Sequence, residues 1–156
     1  MYKITHKVKG FFLLITLIAI VMVGCKKYED GPLISLKSKT KRLTGTTWIL
    51  DKYLRNGSDE TSSVLISNYK EQYKEDGSLV RSYNDTKGDP FSETGNWAFD
   101  ENKEVVDVNN VSSVDWSNQN STLSTSSITI LRLKTKEFWY KFENGGDTHE
   151  FQLVKE

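Results

Sequence analysis

Few residues of this chain combine into a pattern that would catalyse a reaction. His149 is one of two histidines in 156 residues, and Asp147 precedes it by two positions, where strand alternation places both side chains on one face. With a serine they would form a hydrolytic triad, but the sequence lacks the Gly-x-Ser-x-Gly elbow that presents such a serine. The pattern favours a solvated histidine at a strand end, and we expect no enzyme activity.

Metal and glycosidase chemistry has equally little support. Zinc sites draw on several histidines or cysteines, whereas this chain has two histidines and one cysteine. No glycine-rich phosphate loop occurs. The most conspicuous acids lie in turn sequences, as solvated carboxylates do: Asp76, Asp89, Asp100, Glu101 and Asp147. We therefore expect no metal and no cofactor.

The one cysteine, Cys25, stands where the chain changes character. Residues 1–9 contain three lysines and no acid, residues 10–23 are apolar except for Thr16, and Gly24 precedes the cysteine. A basic leader, a short apolar stretch and a small residue form the pattern of a secretory signal peptide. The alternative is a slightly short transmembrane anchor, since the uncharged stretch has 16 residues and a spanning helix needs roughly 20.

The sequence Met22-Val23-Gly24-Cys25 resembles the lipobox of bacterial lipoproteins, with Met22 in place of the usual leucine. The resemblance implies that residues 1–24 are removed and that Cys25 carries lipid, palmitate among its acyl chains. Two or more acyl chains hold a protein stably on a membrane. Lys26 follows the cysteine, where an aspartate would retain a lipoprotein in the inner membrane, so the resemblance implies the outer membrane.

The composition of the remaining 132 residues fits one soluble domain. They contain 18 basic and 21 acidic side chains, which is not the footprint of a nucleic-acid-binding protein. Residues 25–42 read as a flexible tether, and its basic run is either a solvated linker, a single helical turn capped by Ser38, or a contact with anionic lipid. Residues 43–156 form the predicted domain.

That domain is rich in aromatic and β-branched residues, which favour strands. Asn56-Gly57 and Asp76-Gly77 are tight-turn signals that pair neighbouring strands antiparallel. Along the first strand, alternation places Trp48 and Tyr53 on opposite faces. A polar loop over 109–127 carries Trp116. Eight strand-like segments occur, over 46–55, 64–74, 78–84, 93–99, 104–108, 128–133, 138–142 and 151–154. The sequence thus predicts an all-β fold, an antiparallel up-and-down β-barrel of about eight strands.

The run Leu43-Thr44-Gly45-Thr46-Thr47-Trp48 resembles the opening of a lipocalin, and Gly95-Asn96-Trp97 repeats a Gly-x-Trp motif. From Leu43 to Lys155 the layout resembles the small lipocalin-like domain of bacterial outer-membrane lipoproteins. The resemblance implies a calyx-like barrel in which Gly45 lets the chain turn inwards and Trp48 closes the base. Gly95 and Trp97 are given the same structural role.

Two functions compete for this domain. The leading hypothesis is a lipid-anchored binding module for a small apolar ligand, with Trp116, Trp139 and Tyr140 as candidate contacts. Trp116 has the alternative of folding back onto the barrel mouth as core. The second hypothesis is a filled barrel that meets an envelope protein as a structural or interaction module. Room for a ligand inside the barrel is favoured by four small residues: Ser78, Ser82, Gly95 and Ala98.

Overall fold

A computed structural model of the chain describes residues 36–118 and 121–156. The predicted leader and Cys25 lie outside the described residues, and so does most of the tether. The lipid anchor therefore stays a prediction.

The described residues contain one short α-helix, one 3₁₀ helix and eleven strands. The helix α1 covers Lys39–Leu43, and the 3₁₀ helix covers Thr61–Ser63. The strands are β1 Thr47–Arg55, β2 Ser58–Asp59, β3 Ser67–Tyr73, β4 Ser78–Asn84, β5 Pro90–Phe99, β6 Val105–Asn109, β7 Val114–Ser117, β8 Ser121–Leu123, β9 Ser127–Leu133, β10 Glu137–Asn144 and β11 Asp147–Lys155.

Eight of these strands close into a barrel. They are hydrogen-bonded antiparallel in the order β1-β3-β4-β5-β6-β9-β10-β11, and β11 pairs again with β1 from Trp48↔Lys155 to Arg55↔His149. The predicted antiparallel up-and-down barrel of eight strands is confirmed. Closure satisfies the backbone groups that a sheet edge would expose.

The turns explain why the chain folds as a meander. Gly57 and Gly77 have φ of +80° and +84°, a backbone conformation that residues with a Cβ rarely adopt. Each reverses the chain within a few residues, so successive strands pair antiparallel. The two turns lie at opposite ends of the barrel.

A bulge in β1 overturns one expectation about its faces. The pairing of β1 with β11 shifts register between Leu50 and Lys52. The extra residue moves the alternation by one position, so Trp48 and Tyr53 both point inwards and are fully buried. The prediction that they occupy opposite faces was wrong, because alternation alone does not reveal a bulge.

One end of the barrel, here named the closed end, is sealed by α1. The Ser38 side chain accepts a hydrogen bond from the Lys41 backbone N–H, which caps the helix as one of the predicted alternatives had it. Leu43 is fully buried, and its carbonyl accepts a hydrogen bond from the Trp48 indole N–H at 2.9 Å. A Cβ on Gly45 would lie 2.7 Å from the Lys41 carbonyl oxygen, so the chain turns inwards where only glycine fits.

Candidate binding site

The barrel interior is packed with side chains. Aromatic rings dominate it and meet mostly edge-on or tilted, for example Tyr73 and Phe138 at a centroid distance of 5.7 Å. The cavity that remains between them measures about 30 Å³. That volume holds a water molecule or two, whereas small-molecule sites usually measure roughly 300–1,000 Å³.

The small residues do not leave the room expected of them. Ser78, Ser82 and Ala98 alternate with the buried residues of β4 and β5 and face outwards. Gly95 faces inwards, but a Cβ there would lie 2.4 Å from the Asn109 carbonyl oxygen. The space beside Gly95 is therefore already filled by residues 109–111 of the same chain. The expectation of a cavity at these positions was wrong.

A buried carboxylate lies among the aromatic rings. Glu71 is 4% exposed, because every second residue of β3 faces inwards. Its Oε1 accepts hydrogen bonds from the hydroxyls of Tyr69 at 2.5 Å and Tyr140 at 2.8 Å. Its Oε2 accepts one from Tyr73 at 2.9 Å. Four polar side chains from β3 and β10 thus form one interior cluster, here named the Glu71 cluster.

The tyrosines of the Glu71 cluster are fixed as donors. Burial raises the pKa of Tyr69, Tyr73 and Tyr140 well above the usual value, and the negative charge of Glu71 raises it further. The three phenols therefore keep their protons at any physiological pH. The cluster offers hydroxyl groups and a carboxylate to whatever enters the barrel.

The open end of the barrel is covered by residues 110–118 and 121–126, here named the lid. The sequence predicted a polar loop there, and the structure folds part of it into the β7–β8 hairpin, a sheet separate from the barrel. Two backbone hydrogen bonds join the lid to the segment after β2. The Leu65 N–H donates to the Trp116 carbonyl at 2.9 Å, and the Asn118 N–H donates to the Ser63 carbonyl at 3.2 Å.

Side chains hold both ends of the lid. Glu93 pairs with Arg81 and accepts from the Ser112 N–H at 2.7 Å, while the Arg81 guanidinium donates to the Ser112 carbonyl. At the other end, the Asn144 amide donates to the Thr122 carbonyl at 3.0 Å. Burial lowers the pKa of Arg81, but the charge and hydrogen bond of Glu93 and the charge of Glu71 outweigh burial and raise the pKa overall, so Arg81 remains charged.

The Trp116 side chain extends from the lid into the open end of the barrel, here called the mouth. Its side chain is 1% exposed, and its ring lies 4.5 Å from Phe151, 5.2 Å from Tyr69 and 5.4 Å from Tyr53 between centroids. Among the described residues, the Trp116 indole N–H and the Ser117 hydroxyl are buried without a hydrogen-bond partner. An unpaired buried donor destabilises a fold by about 1–3 kcal/mol. The Trp116 side chain, here named the plug, is therefore held in the open end by apolar packing, while its indole N–H lacks a hydrogen bond.

His149 is not the solvated residue that the sequence indicated. It is 1% exposed, and its Nδ1 lies 2.7 Å from the Tyr53 hydroxyl. Its Nε2 lies 3.3 Å from the Asn144 carbonyl, which only accepts, so Nε2 carries the proton and Nδ1 accepts from Tyr53. Burial lowers the pKa of His149 and raises that of Tyr53 to about 12. The solvated-histidine prediction was wrong because the closure of β11 on β1 covers this strand end.

Asp147 does not complete a triad with this histidine. Its carboxylate accepts from Arg55 Nε at 2.8 Å and from the Asn56 amide at 2.7 Å. The hydrogen bonds from the Asn56 amide and from Arg55, in that order, lower the pKa of Asp147. This carboxylate fastens the β1–β2 turn to β11, and the neighbours of His149 are aromatic rings and hydrogen-bonding partners of a neutral imidazole.

The structure separates the predicted contact residues. Trp116 and Tyr140 share the barrel interior and line the same small cavity. Trp139 lies half-buried on the outer face of β10, with the Arg132 guanidinium 3.7 Å from its ring centroid. Trp48 and Trp97 both seal the closed end, where the Trp97 indole N–H donates to the Lys74 carbonyl at 2.9 Å.

Sequence reasoning missed the Glu71 cluster, although the sequence carried a signal for it. Tyr69, Glu71 and Tyr73 alternate on one strand face. A charged residue between two aromatic residues on that face is a buried polar site if the face turns inwards. The contribution of Tyr140 depends on β10 lying across the barrel, which no local pattern reveals.

Within the described ranges, no group of three or more His, Cys, Asp or Glu side chains is arranged to hold a metal ion. The same residues contain no helix that is both long and apolar enough to span a bilayer.

Comparison with known proteins gives likeness in fold only. No protein-family model and no curated protein matches the chain. The structure is similar to a lipocalin-like protein from Bacteroides uniformis, with a TM-score of 0.47 and 12% identity over 74% of this chain and 99% of that one. It is also similar to Japanin from Rhipicephalus appendiculatus bound to cholesterol, with a TM-score of 0.48 and 8% identity over 73% of this chain and 76% of that one.

Proposed function

We propose that this chain is a lipid-anchored lipoprotein of the bacterial outer membrane that binds one small, largely apolar molecule inside its barrel. The observation that carries the proposal is which part of the chain supplies the side chain that fills the open end of the barrel. The group that fills the mouth, Trp116, belongs to the lid and not to the barrel wall.

The barrel is complete without the lid. β6 and β9, the strands on either side of the lid in sequence, pair directly with each other from Val105↔Thr129 to Asp107↔Ser127. Displacement of the lid therefore breaks no hydrogen bond between barrel strands. It withdraws an indole from the mouth and leaves the space of a buried aromatic side chain, which covers about 150–250 Å² of surface.

The proposed anchor would connect to the barrel at its closed end. Residue 36, the first described residue, leads into α1 at that end. Ten residues lie between it and Cys25, so an extended tether would reach at most about 40 Å. Acylation of Cys25 would therefore keep the barrel close to the bilayer.

A filled barrel that meets an envelope protein is the second candidate. The observation that favours it is the cavity of about 30 Å³, which admits no ligand while Trp116 is seated. The two candidates differ in what happens to the lid. A ligand-binding barrel opens it, whereas a filled barrel keeps Trp116 in place as ordinary core.

The test uses the acylated protein, purified from bacterial membranes into lipid nanodiscs. Native mass spectrometry and solvent extraction should find one kind of small molecule bound to part of the protein, with empty nanodiscs as the control. Trp116→Ala should raise its occupancy. Absence of any bound molecule in both proteins, with lid amides as protected from hydrogen exchange as those of β10, would establish the filled barrel.

The anchor is tested separately. Cys25→Ser should release the protein from the membrane fraction and abolish incorporation of labelled palmitate, and the unchanged protein should retain both. Retention of Cys25→Ser in the membrane without label would point to the transmembrane alternative.

A further inference from the structure

The Trp116 indole sits in an aromatic cage, here defined as Tyr53, Tyr69 and Phe151. Two of the contacts are edge-on, with interplanar angles of 72° to Tyr53 and 86° to Tyr69. The third is a tilted contact with Phe151 at 42°. Three rings in these orientations enclose a flat two-ring system on several sides, so the cage is shaped for a planar aromatic group.

The cage opens directly onto the Glu71 cluster. Tyr69 belongs to both, since its ring packs on Trp116 and its hydroxyl donates to Glu71. Trp116 and Glu71 line the same cavity of about 30 Å³. A ligand ring in the cage therefore has a carboxylate within reach through that cavity.

Glu71 can accept a further donor. A carboxylate offers about four acceptor positions, and the described donors to Glu71 are three phenols, of which one reaches Oε2. The other charged side chain that lines the cavity, Arg81, forms its ion pair with Glu93 at the start of the lid. Arg81 is also the cross-strand neighbour of Glu71, so this region holds one guanidinium against the two carboxylates of Glu71 and Glu93. The surplus negative charge favours a cationic donor on Glu71.

We propose that the ligand of the open barrel is an arylalkylamine, whose ring replaces Trp116 in the aromatic cage and whose protonated nitrogen donates to Glu71. This inference rests on the proposed function and names its ligand class. Aromatic faces attract a cation, and a buried carboxylate rewards a charged donor more than a neutral one. A ligand with a carboxylate of its own would bring a second negative charge beside Glu71 and bind worst.

Trp116 fits this inference as an incomplete stand-in for the ligand. It supplies the flat ring, but its N–H has no partner among the described residues. An amine that satisfies its donor on Glu71 replaces an unsatisfied plug by a satisfied one, which favours exchange of the lid residue for the ligand.

The experiment compares three probes that share one ring system: tryptamine, indole and indole-3-acetate. Each is titrated calorimetrically into the acylated protein in nanodiscs, with empty nanodiscs as the blank. We expect tryptamine to bind about tenfold to a hundredfold more tightly than indole, the gain of a charged hydrogen bond. Indole-3-acetate should bind more weakly than indole.

Glu71→Gln should abolish the preference for tryptamine, and Glu150→Gln on the outer part of β11 is the matched control that should retain it. Because Glu71→Gln also disturbs three tyrosines, Tyr73→Phe serves as a second variant. It keeps the carboxylate, removes one competing donor, and should leave tryptamine binding intact or tighter.

The outcomes separate this inference from the proposed function. If indole and an apolar dye bind to Trp116→Ala while tryptamine shows no advantage in any folded variant, the arylalkylamine inference is wrong and the binding function stands. If no probe binds to the unchanged protein or to Trp116→Ala, the proposed function itself fails.

Discussion

The two ends of this barrel are both sealed by tryptophan, but they treat its polar atom differently. At the closed end, Trp48 and Trp97 each donate their indole N–H to a backbone carbonyl at 2.9 Å. At the open end, Trp116 is as deeply buried as Trp48, yet its N–H has no partner among the described residues. A satisfied plug is held by packing and a hydrogen bond, whereas an unsatisfied one is held by packing alone. The comparison identifies the closed end as permanent and the open end as the one that can exchange its plug.

The elements that carry these tryptophans also differ in how firmly they are held. Trp48 and Trp97 lie on β1 and β5, strands of the closed barrel. Trp116 lies on a two-stranded hairpin joined to the rest by a few hydrogen bonds. Segments with few such bonds open locally at lower free energy than core strands do. The lid is therefore expected to be the least stable of the elements that cover the barrel.

The largest effect is expected at the closed end. Trp48→Ala leaves a cavity in the core and an unpaired Leu43 carbonyl, so the free energy of unfolding should fall by about 3–5 kcal/mol. Urea unfolding followed by circular dichroism measures the loss. Trp139→Ala, on the outer face of β10, is the control and should lose much less. An equally small loss for both variants would mean that Trp48 does not seal the base.

Trp116→Ala should lower the free energy of unfolding by less than Trp48→Ala, with a difference of about 1–3 kcal/mol. The physical reason is that this substitution also removes a buried unpaired N–H. The same urea experiment gives the comparison directly. Equal losses at the two ends would break the distinction drawn here and favour the filled barrel.

Asn144→Ala sharpens the comparison without touching the plug. The loss of its hydrogen bond to the Thr122 carbonyl should lower the free energy of lid opening by about 1 kcal/mol. Hydrogen exchange of lid amides should then be several-fold faster, with β3 and β10 unchanged. Asn96→Ala, an exposed position on β5, is the control. Faster exchange throughout the barrel would show that the lid is not an independent unit.

The smallest effect is a pH dependence at the open end. Burial lowers the pKa of His149 below its ordinary 6.5, so the unfolded chain takes up its proton first as the pH falls. Stability should be complete above about pH 6.5 and decline from there towards the folded-state pKa. Urea unfolding between pH 7.5 and 5 measures this slope.

His149→Gln should flatten that slope. The only other histidine, His6, lies in the predicted leader. Asp147, a neighbouring carboxylate at the open end, has a pKa below its usual value, so it does not titrate in this pH range. A slope that persists in the variant would assign the titration to another group.

The strands differ in how well their sequence predicted their structure. Ser78–Asn84 was predicted to its exact bounds because Asp76-Gly77 starts it and its apolar residues alternate. The face assignment of β1 failed at the bulge after Leu50, which is set by pairing with β11, about a hundred residues away. The β7–β8 hairpin was missed because its sequence is polar and its partners are the barrel mouth and residues 63–65.

The candidate site was predicted in part. Two of the three predicted ligand contacts, Trp116 and Tyr140, lie together in the barrel, whereas Trp139 lies on its outer face and Glu71 was not singled out. Contact between these residues and a ligand stays a prediction. Alternation shows which residues of a strand share a face, but it does not show which face turns inwards across a closed barrel.

The sequence by itself determined the eight barrel strands, their antiparallel order and the closing role expected of Gly45 and Trp48, because turn residues and period-two alternation act locally. It also set the prediction of a lipid anchor at Cys25. Only the tertiary structure decided that the barrel is filled, that Glu71 gathers three tyrosines, that His149 is buried and that Trp116 plugs the mouth. Each of these depends on contacts between residues far apart in the chain, and those contacts exist only once β11 closes on β1 and the lid folds over the open end.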